Sequence, residues 1–169
     1  MLRQLLTPDW QPGRTLAQLP LAELLERPVP IRALVLDVDR TLLPRRSASL
    51  PPSAEQWLRE AQRLLPIHLL SNNPSRRRIG TVAEQLGVPF TTSAGKPRRS
   101  SLRRVLAELG LPAAQVALVG DRLFTDVLAG NRLGLFTVLV KPIDAQGRPC
   151  ERDRLQSLEL RMARWVGMG

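Results

Sequence analysis

Cysteine is nearly absent. Cys150 stands alone in 169 residues, which excludes an intramolecular disulfide and a cysteine-based zinc site and points to a reducing compartment. Histidine occurs once, at His68, so a histidine cluster for metal is excluded as well. Aromatic residues amount to 4%, leaving few rings to stack on nucleic-acid bases. No apolar run approaches the roughly 18 residues that cross a bilayer, and the first residues lack the unbroken apolar segment of a secretory signal. The expected location is therefore cytoplasmic, either free or peripheral on the cytoplasmic membrane face. Lysine occurs only at Lys96 and Lys141, so arginine supplies nearly all of a formal charge of +10 and a pI near 11.6. Such an excess suits an anionic partner: nucleic acid, an acidic membrane surface or a phosphorylated substrate. The 43% hydrophobic content suffices for one core. A single domain is expected, with a leucine-rich N-terminal extension over 1–30, a core over 31–140 and a C-terminal loop and helix over 141–169.

Proline and leucine dominate the extension. Leu2, Leu5, Leu6 and Trp10 form one cluster and Leu16, Leu19, Leu24 and Leu25 another, with Pro20 limiting any helix to short pieces. Covering one face of a sheet is the expected role of these leucines, and dipping into a membrane interface is the alternative. The run Ala33 to Leu36 then has the length and composition of a buried parallel strand, and it delivers Asp37 and Asp39 to its own end. Side chains alternate along an extended backbone, so the two acids point to one side while Val38 and Thr41 can face elsewhere. Held that close, they repel, and a cation or a shared proton would relieve the repulsion.

The remaining chain alternates between helical and extended patterns. Ser53-Ala-Glu-Gln has the form of a capping box, and Ala54, Trp57, Leu58, Ala61 and Leu65 follow at helical spacing. Pro66 to Ser71 reads as a second strand containing His68, which is expected to be structural. Asn73 and Pro74 suit the cap and first turn of a helix whose buried face is Ile79, Val82, Ala83 and Leu86, ended by Gly87. Val88 to Thr91 is a third strand. Pro97 suits the first turn of a helix facing inward through Leu102, Val105, Leu106 and Leu109. Gln115 to Val119 is a fourth strand, a helix spans about Thr125 to Leu133, and Leu135 to Val140 is a fifth strand. The last segment carries Leu155, Leu158, Met162 and Trp165 at helical spacing. The alternation predicts an α/β, three-layer Rossmann-like sandwich with a mainly parallel five-stranded sheet.

Ligands of open parallel sheets bind beyond the carboxyl ends of the strands. Collected there are Asp37 and Asp39, then Ser71 and Asn72, then Lys96, and finally Asp121 with Asp126. Oxygen donors without cysteine or a histidine cluster suit a hard cation, Mg²⁺ first. Ser71 and Lys96 are expected at or just before helix starts, where backbone N–H groups favour a phosphoryl group.

This ordered set resembles the four motifs of the haloacid dehalogenase (HAD) superfamily of phosphohydrolases. Asp37-Val-Asp39-Arg-Thr41 matches its D-x-D-x-T, Ser71 its strand-terminal Ser or Thr, Lys96 its lysine, and Gly120-Asp121 through Asp126 its G-D-x-x-x-x-D. The resemblance implies an aspartyl-phosphate mechanism in which Asp37 attacks phosphorus and Asp39 acts as acid and then base. It further implies a phosphate-binding group of Thr41, Ser71, Asn72 and Lys96, and Mg²⁺ held by Asp37, Asp39, Asp121 and Asp126. Arg40 departs from the Gly or Asn frequent at its place, and a negative φ would let it fit. The intervals between motifs leave no room for a cap domain.

Arg45 and Arg46, Arg76 to Arg78, Arg98 and Arg99, and Arg122 follow or sit within the motifs, and they should ring one rim. The strings S-N-N, A-G-K-P and V-G-D-R-L-F-T-D-V-L-A-G-N-R-L-G resemble the capless group of YqeG-type phosphatases and phosphatidylglycerophosphatases. That closer resemblance implies phosphatidylglycerophosphate as substrate, a phosphorylated lipid headgroup met at an anionic membrane surface. A soluble phosphatase acting on a sugar phosphate or a nucleic-acid end is the enzymatic alternative. A basic module binding RNA, ribosome or membrane is the non-enzymatic one, disfavoured because such a surface has no need of four converging carboxylates.

Overall fold

In the computed structural model, which describes residues 2–166, the strands are β1 (Ala33–Leu36), β2 (Ile67–Leu70), β3 (Phe90–Thr91), β4 (Val116–Gly120) and β5 (Phe136–Leu139). β1 and β4 are short runs of small, branched or leucine side chains buried on both faces. All neighbouring pairs are parallel and the order is β3-β2-β1-β4-β5. β1 is therefore central, and the strand order reverses beside it. That reversal opens a crevice at the carboxyl ends of β1 and β4. The strands fall within two residues of their expected bounds.

The connecting helices are α1 (Leu2–Leu5), α2 (Leu21–Leu25), α3 (Pro52–Gln62), α4 (Arg76–Leu86), α5 (Ser100–Leu109), α6 (Leu128–Asn131) and α7 (Arg154–Val166). Alternation along β1 divides the core into two layers. Leu34 and Leu36 pack with Leu69, Val119, Trp57, Leu58, Ile79 and Val82 on one face. Ala33 and Val35 pack with Leu70, Leu118, Leu102, Val105 and Ala129 on the other. The N-terminal extension takes the core-covering role. Leu16, Leu19 and Leu24 are buried in the first layer, and the Trp57 indole donates to the Leu19 carbonyl at 2.8 Å. Trp10 extends the sheet beside β5, donating to Thr137 O and accepting from Leu139 N. Leu6 joins Leu123, Val127 and Leu139 in a small third cluster, and the side chain of Leu2 lies outside the described residues. His68 is buried beside Thr91 Oγ1 at 2.9 Å, and burial lowers its pKa, as suits a structural residue.

Four local expectations give way to other arrangements. α3 starts at Pro52 with Pro51 before it, so Ser53 sits inside the first turn and caps nothing. α4 is capped by Ser75, whose Oγ accepts from Arg78 N, and not by Asn73; Asn73 instead accepts from Ser75 N, and Pro74 stays outside the helix. α5 begins at Ser100, well beyond Pro97, because the chain first turns at Gly95 to carry the Lys96 side chain inward. In place of one helix from Thr125 there is a wide π-helical turn, Leu123–Val127, followed by α6. Arg122 O accepts from both Asp126 N and Val127 N in that turn.

α7 forms where expected, but its apolar stripe is turned outward. Glu159 is its buried residue, with Leu160 and Ala163 against the third cluster, while Leu158, Met162 and Trp165 are exposed.

Candidate active site

β1 ends at Leu36, and from Asp37 the chain leaves the sheet in a tight turn. The amides of Thr41, Leu42 and Leu43 all point at Val38 O, at 3.2, 2.9 and 3.1 Å. That turn folds Thr41 back so that its hydroxyl donates to Asp37 Oδ2 at 3.2 Å, where it could have faced away. Arg40 adopts φ +65°, and so does not meet the condition of a negative φ under which an arginine fits here without strain. A left-handed arginine costs on the order of 1–2 kcal/mol. Its own N–H to Leu43 O at 2.7 Å, Ile143 N to its carbonyl at 2.9 Å, and an ion pair with Asp153 offset that cost.

Beneath Asp37 lies Lys96. The side-chain amide of Asn72 holds the Lys96 backbone from both sides, accepting from Lys96 N at 2.8 Å and donating to Lys96 O at 2.9 Å. The ammonium donates to Asp37 Oδ1 at 2.7 Å, Asp126 Oδ1 at 2.7 Å and Leu70 O at 2.8 Å. Burial works against that charge, but the carboxylates of Asp126 and Asp37 outweigh it, and the lysine pKa is raised. Asp126 reaches in because residue 120 is glycine. A Cβ at Gly120 would collide with the Asp126 carboxylate. Ser71 is buried and its Oγ accepts from Asn73 N at 3.1 Å. Neither Ser71 nor Lys96 opens a helix, since α4 and α5 start further along. The polar atoms at the crevice are side chains and loop amides instead.

Asp37, Asp121 and Asp126 each offer an oxygen, and these lie within 4.8 Å of one another. One ammonium does not balance three buried carboxylates. Burial raises the Asp37 carboxyl to about 6 despite Lys96, which pulls it down. Asp121 is pushed to about 8 by burial and then by its neighbours Asp37 and Asp126, against Arg40 and Arg122. The donor set is all oxygen and suits a hard divalent cation. The carboxylate of Asp39 lies outside this trio. It contacts Arg78 Nη1 at 2.5 Å and accepts from Asn73 Nδ2 at 3.2 Å. Arg78 Nη1 makes no directed hydrogen bond, so the contact with Asp39 is mainly electrostatic. The repulsion expected between Asp37 and Asp39 is thus carried within the trio.

Together these residues line a cleft of about 730 Å³. Asp37, Asp39, Ser71, Asn72, Lys96 and Asp121 are on its wall, and Asp126 and Thr41 stand behind it. Five arginines line it as well: Arg40, Arg45, Arg46, Arg78 and Arg122. Arg76, Arg77, Arg98 and Arg99, also expected on the rim, do not, and Arg76 lies over the Phe90 ring. Asn73 and Arg78 are the residues whose part at Asp39 the sequence did not reveal. The run Ser71-Asn-Asn placed Asn73 near the cleft, but nothing local aimed Arg78 inward.

A parallel five-stranded sheet without an insertion between its motifs, with acids from β1 and β4 meeting a lysine at the central crevice, defines a capless hydrolase fold of the Rossmann-like kind. A HAD-hydrolase-like family model matches residues 93–147. The Bacillus subtilis protein named "Probable phosphatase YqeG" is 32% identical over 114 residues, 67% of this chain and 66% of that protein. The chloroplastic phosphatidylglycerophosphate phosphatase 1 of Chlamydomonas reinhardtii is 33% identical over 98 residues, 57% of this chain and 36% of that protein. The structure of 2-haloacid dehalogenase from Pseudomonas syringae superposes with a TM-score of 0.52 at 14% identity, covering 80% of this chain and 99% of that one, and so shares the fold. By the family model and the relatives named phosphatases, the chain is similar to proteins of the haloacid dehalogenase superfamily. It spans just under two thirds of the YqeG protein and about a third of the algal one.

Proposed function

We propose that the protein is a phosphomonoesterase working through Asp37 and Asp39, with phosphatidylglycerophosphate as its substrate. The observation that carries this reading is Asp37 itself. It is a buried carboxylate at the floor of a basic cleft, fixed by Lys96 and Thr41, with a second acid at the rim. A carboxyl raised to about 6 is still mostly ionised at pH 7 and is a better nucleophile than an ordinary one. In the first step an Asp37 oxygen attacks phosphorus, the bond to the leaving oxygen breaks, and Asp39 gives that oxygen a proton. In the second, Asp39 takes a proton from water, the water oxygen attacks phosphorus, and the bond to Asp37 breaks, releasing phosphate. Ser71, Lys96 and the cleft arginines supply donors and positive charge around the transferring group. Asp37, Asp121 and Asp126 would hold Mg²⁺, which supplies charge neutralisation at the phosphoryl oxygens.

Two observations support the lipid as substrate. The cleft has no cap over it and is walled by five arginines, so it admits a headgroup presented from a surface. Relatives of this chain include two proteins named phosphatidylglycerophosphate phosphatase 1. No helix among the described residues is long and apolar enough to cross a membrane. The proposed reading has the protein reach the lipid as a peripheral protein on the cytoplasmic face. Phosphate release from phosphatidylglycerophosphate in mixed micelles with Mg²⁺, beside a panel of sugar phosphates and 3′-phosphorylated oligonucleotides, tests this. A clear preference for the lipid is expected. Preference for a soluble ester would replace the substrate and keep the chemistry.

A further inference from the structure

α7 faces the protein with Gln156 and Glu159 beside Leu160 and Ala163, and it turns a second apolar stripe to solvent. On the inner side Asp153 caps the helix through Gln156 N at 2.7 Å and pairs with Arg40. The Gln156 amide donates to Asp121 O at 2.7 Å and Val140 O at 2.9 Å. Glu159, 4% exposed, accepts from Arg122 Nε at 2.8 Å and from Leu123 N at 2.8 Å. α7 is thereby fastened to both loops that carry the catalytic acids. On the outer side Leu158, Met162, Trp165 and Val166 are 52, 50, 78 and 38% exposed. They account for four of the six large hydrophobic residues exposed among those described. The stripe starts at Leu155, which lines the cleft, so the apolar surface is continuous with the mouth of the site. Arg154 and Arg161 flank the stripe and are exposed, and with Arg152, Leu158 and the acids Glu151 and Asp153 they line a groove in which arginines outnumber acids.

We propose that the outer face of α7 is the surface by which the protein seats on an anionic lipid bilayer. Leu158, Met162 and Trp165 enter among the headgroups while Arg152, Arg154 and Arg161 meet lipid phosphates. The inference rests on the reading of the cleft as a lipid phosphatase. It adds to that reading which element faces the membrane, and that the same helix is bonded to the catalytic loops. A second copy of the chain suits this face poorly, since pairing would set the arginine rows of two strongly basic chains against each other. An RNA partner would use the arginines but leave the aliphatic stripe uncovered.

The test uses the full chain with phosphatidylglycerol–phosphatidylcholine vesicles and with phosphatidylcholine alone. Wild-type protein is expected to sediment with the anionic vesicles, and its tryptophan emission to shift to the blue. Trp165→Phe should still sediment but without that shift. Leu158→Ser with Met162→Ser should lower partitioning by at least about tenfold, while hydrolysis of p-nitrophenyl phosphate stays at the wild-type rate and reports an intact fold and site. Equal sedimentation by the double variant, or binding of wild type with no shift from Trp165, would overturn the proposal. So would a dimer of the wild type that the double variant dissolves. Vesicle binding through α7 by a protein inactive on every phosphomonoester would uphold the docking face and refute the phosphatase reading.

Discussion

Replacing Asp121 by asparagine should make the metal-free protein more stable at neutral pH and remove its response to Mg²⁺. Asp121 is buried beside Asp37 and Asp126, and its carboxyl rises from an ordinary 3.8 to about 8. A carboxyl raised by folding contributes no penalty below pH 3.8, where both states hold the proton. Stability is lost as pH climbs from there toward 8, because the unfolded chain releases a proton that the folded one keeps. At pH 7 the loss reaches about 4 kcal/mol if Asp121 bore it alone, at 1.36 kcal/mol per pH unit above 3.8. Asp37 and Asp126 share the same repulsion, so that figure is a ceiling. Even half of it moves the midpoint of a chain this size by roughly 4–8 °C. Asparagine keeps the shape and removes the titration. Thermal unfolding in EDTA should therefore show the variant ahead of wild type at pH 7 and level with it at pH 4. Added Mg²⁺ should stabilise wild type more at pH 8 than at pH 5, and should leave the variant unmoved. A wild-type midpoint in EDTA that does not fall between pH 4 and 8 would refute the reasoning.

Three further outcomes follow from the same geometry. Lys96→Met leaves two buried carboxylates and Leu70 O without their donor and should cost about 3–5 kcal/mol at pH 7, less at pH 4, read by urea unfolding. Gly120→Ala drives a methyl group into the Asp126 carboxylate, so kcat should fall by about a hundredfold or more while the far-UV circular dichroism stays native. As the proposed nucleophile Asp37 would have to be ionised to attack, so kcat/KM should fall as pH drops below about 6 at limiting Mg²⁺, with the limb moving lower as Mg²⁺ is raised.

Much of the crevice was legible because parallel strands bring their carboxyl ends to one edge. An apolar run that ends in Asp37, another that ends in Ser71 and a third that ends in Gly120-Asp121 had to meet there. Helix starts were less legible. Proline suits a first helical turn, yet Pro74 and Pro97 both precede their helices, because Ser75 makes the better cap and Lys96 is drawn into the core first. Arg40 was a departure whose backbone could not be read from its neighbours. Its left-handed conformation depends on Leu43, Ile143 and Asp153, two of them far along the chain. Periodicity located α7, but period alone does not say which side faces inward. Contacts from Arg122, Leu123 N and Arg40 made its acids the inner face and left the apolar stripe outside.

In the proposed mechanism Asp37 carries the phosphoryl group. Protein acid-quenched during turnover of ³²P-labelled phosphatidylglycerophosphate should hold label on the peptide containing Asp37. Hydroxylamine should remove that label, and Asp37→Asn should have none. Continued phosphate release with no label on that peptide, or equal release by Asp37→Asn, would contradict the account.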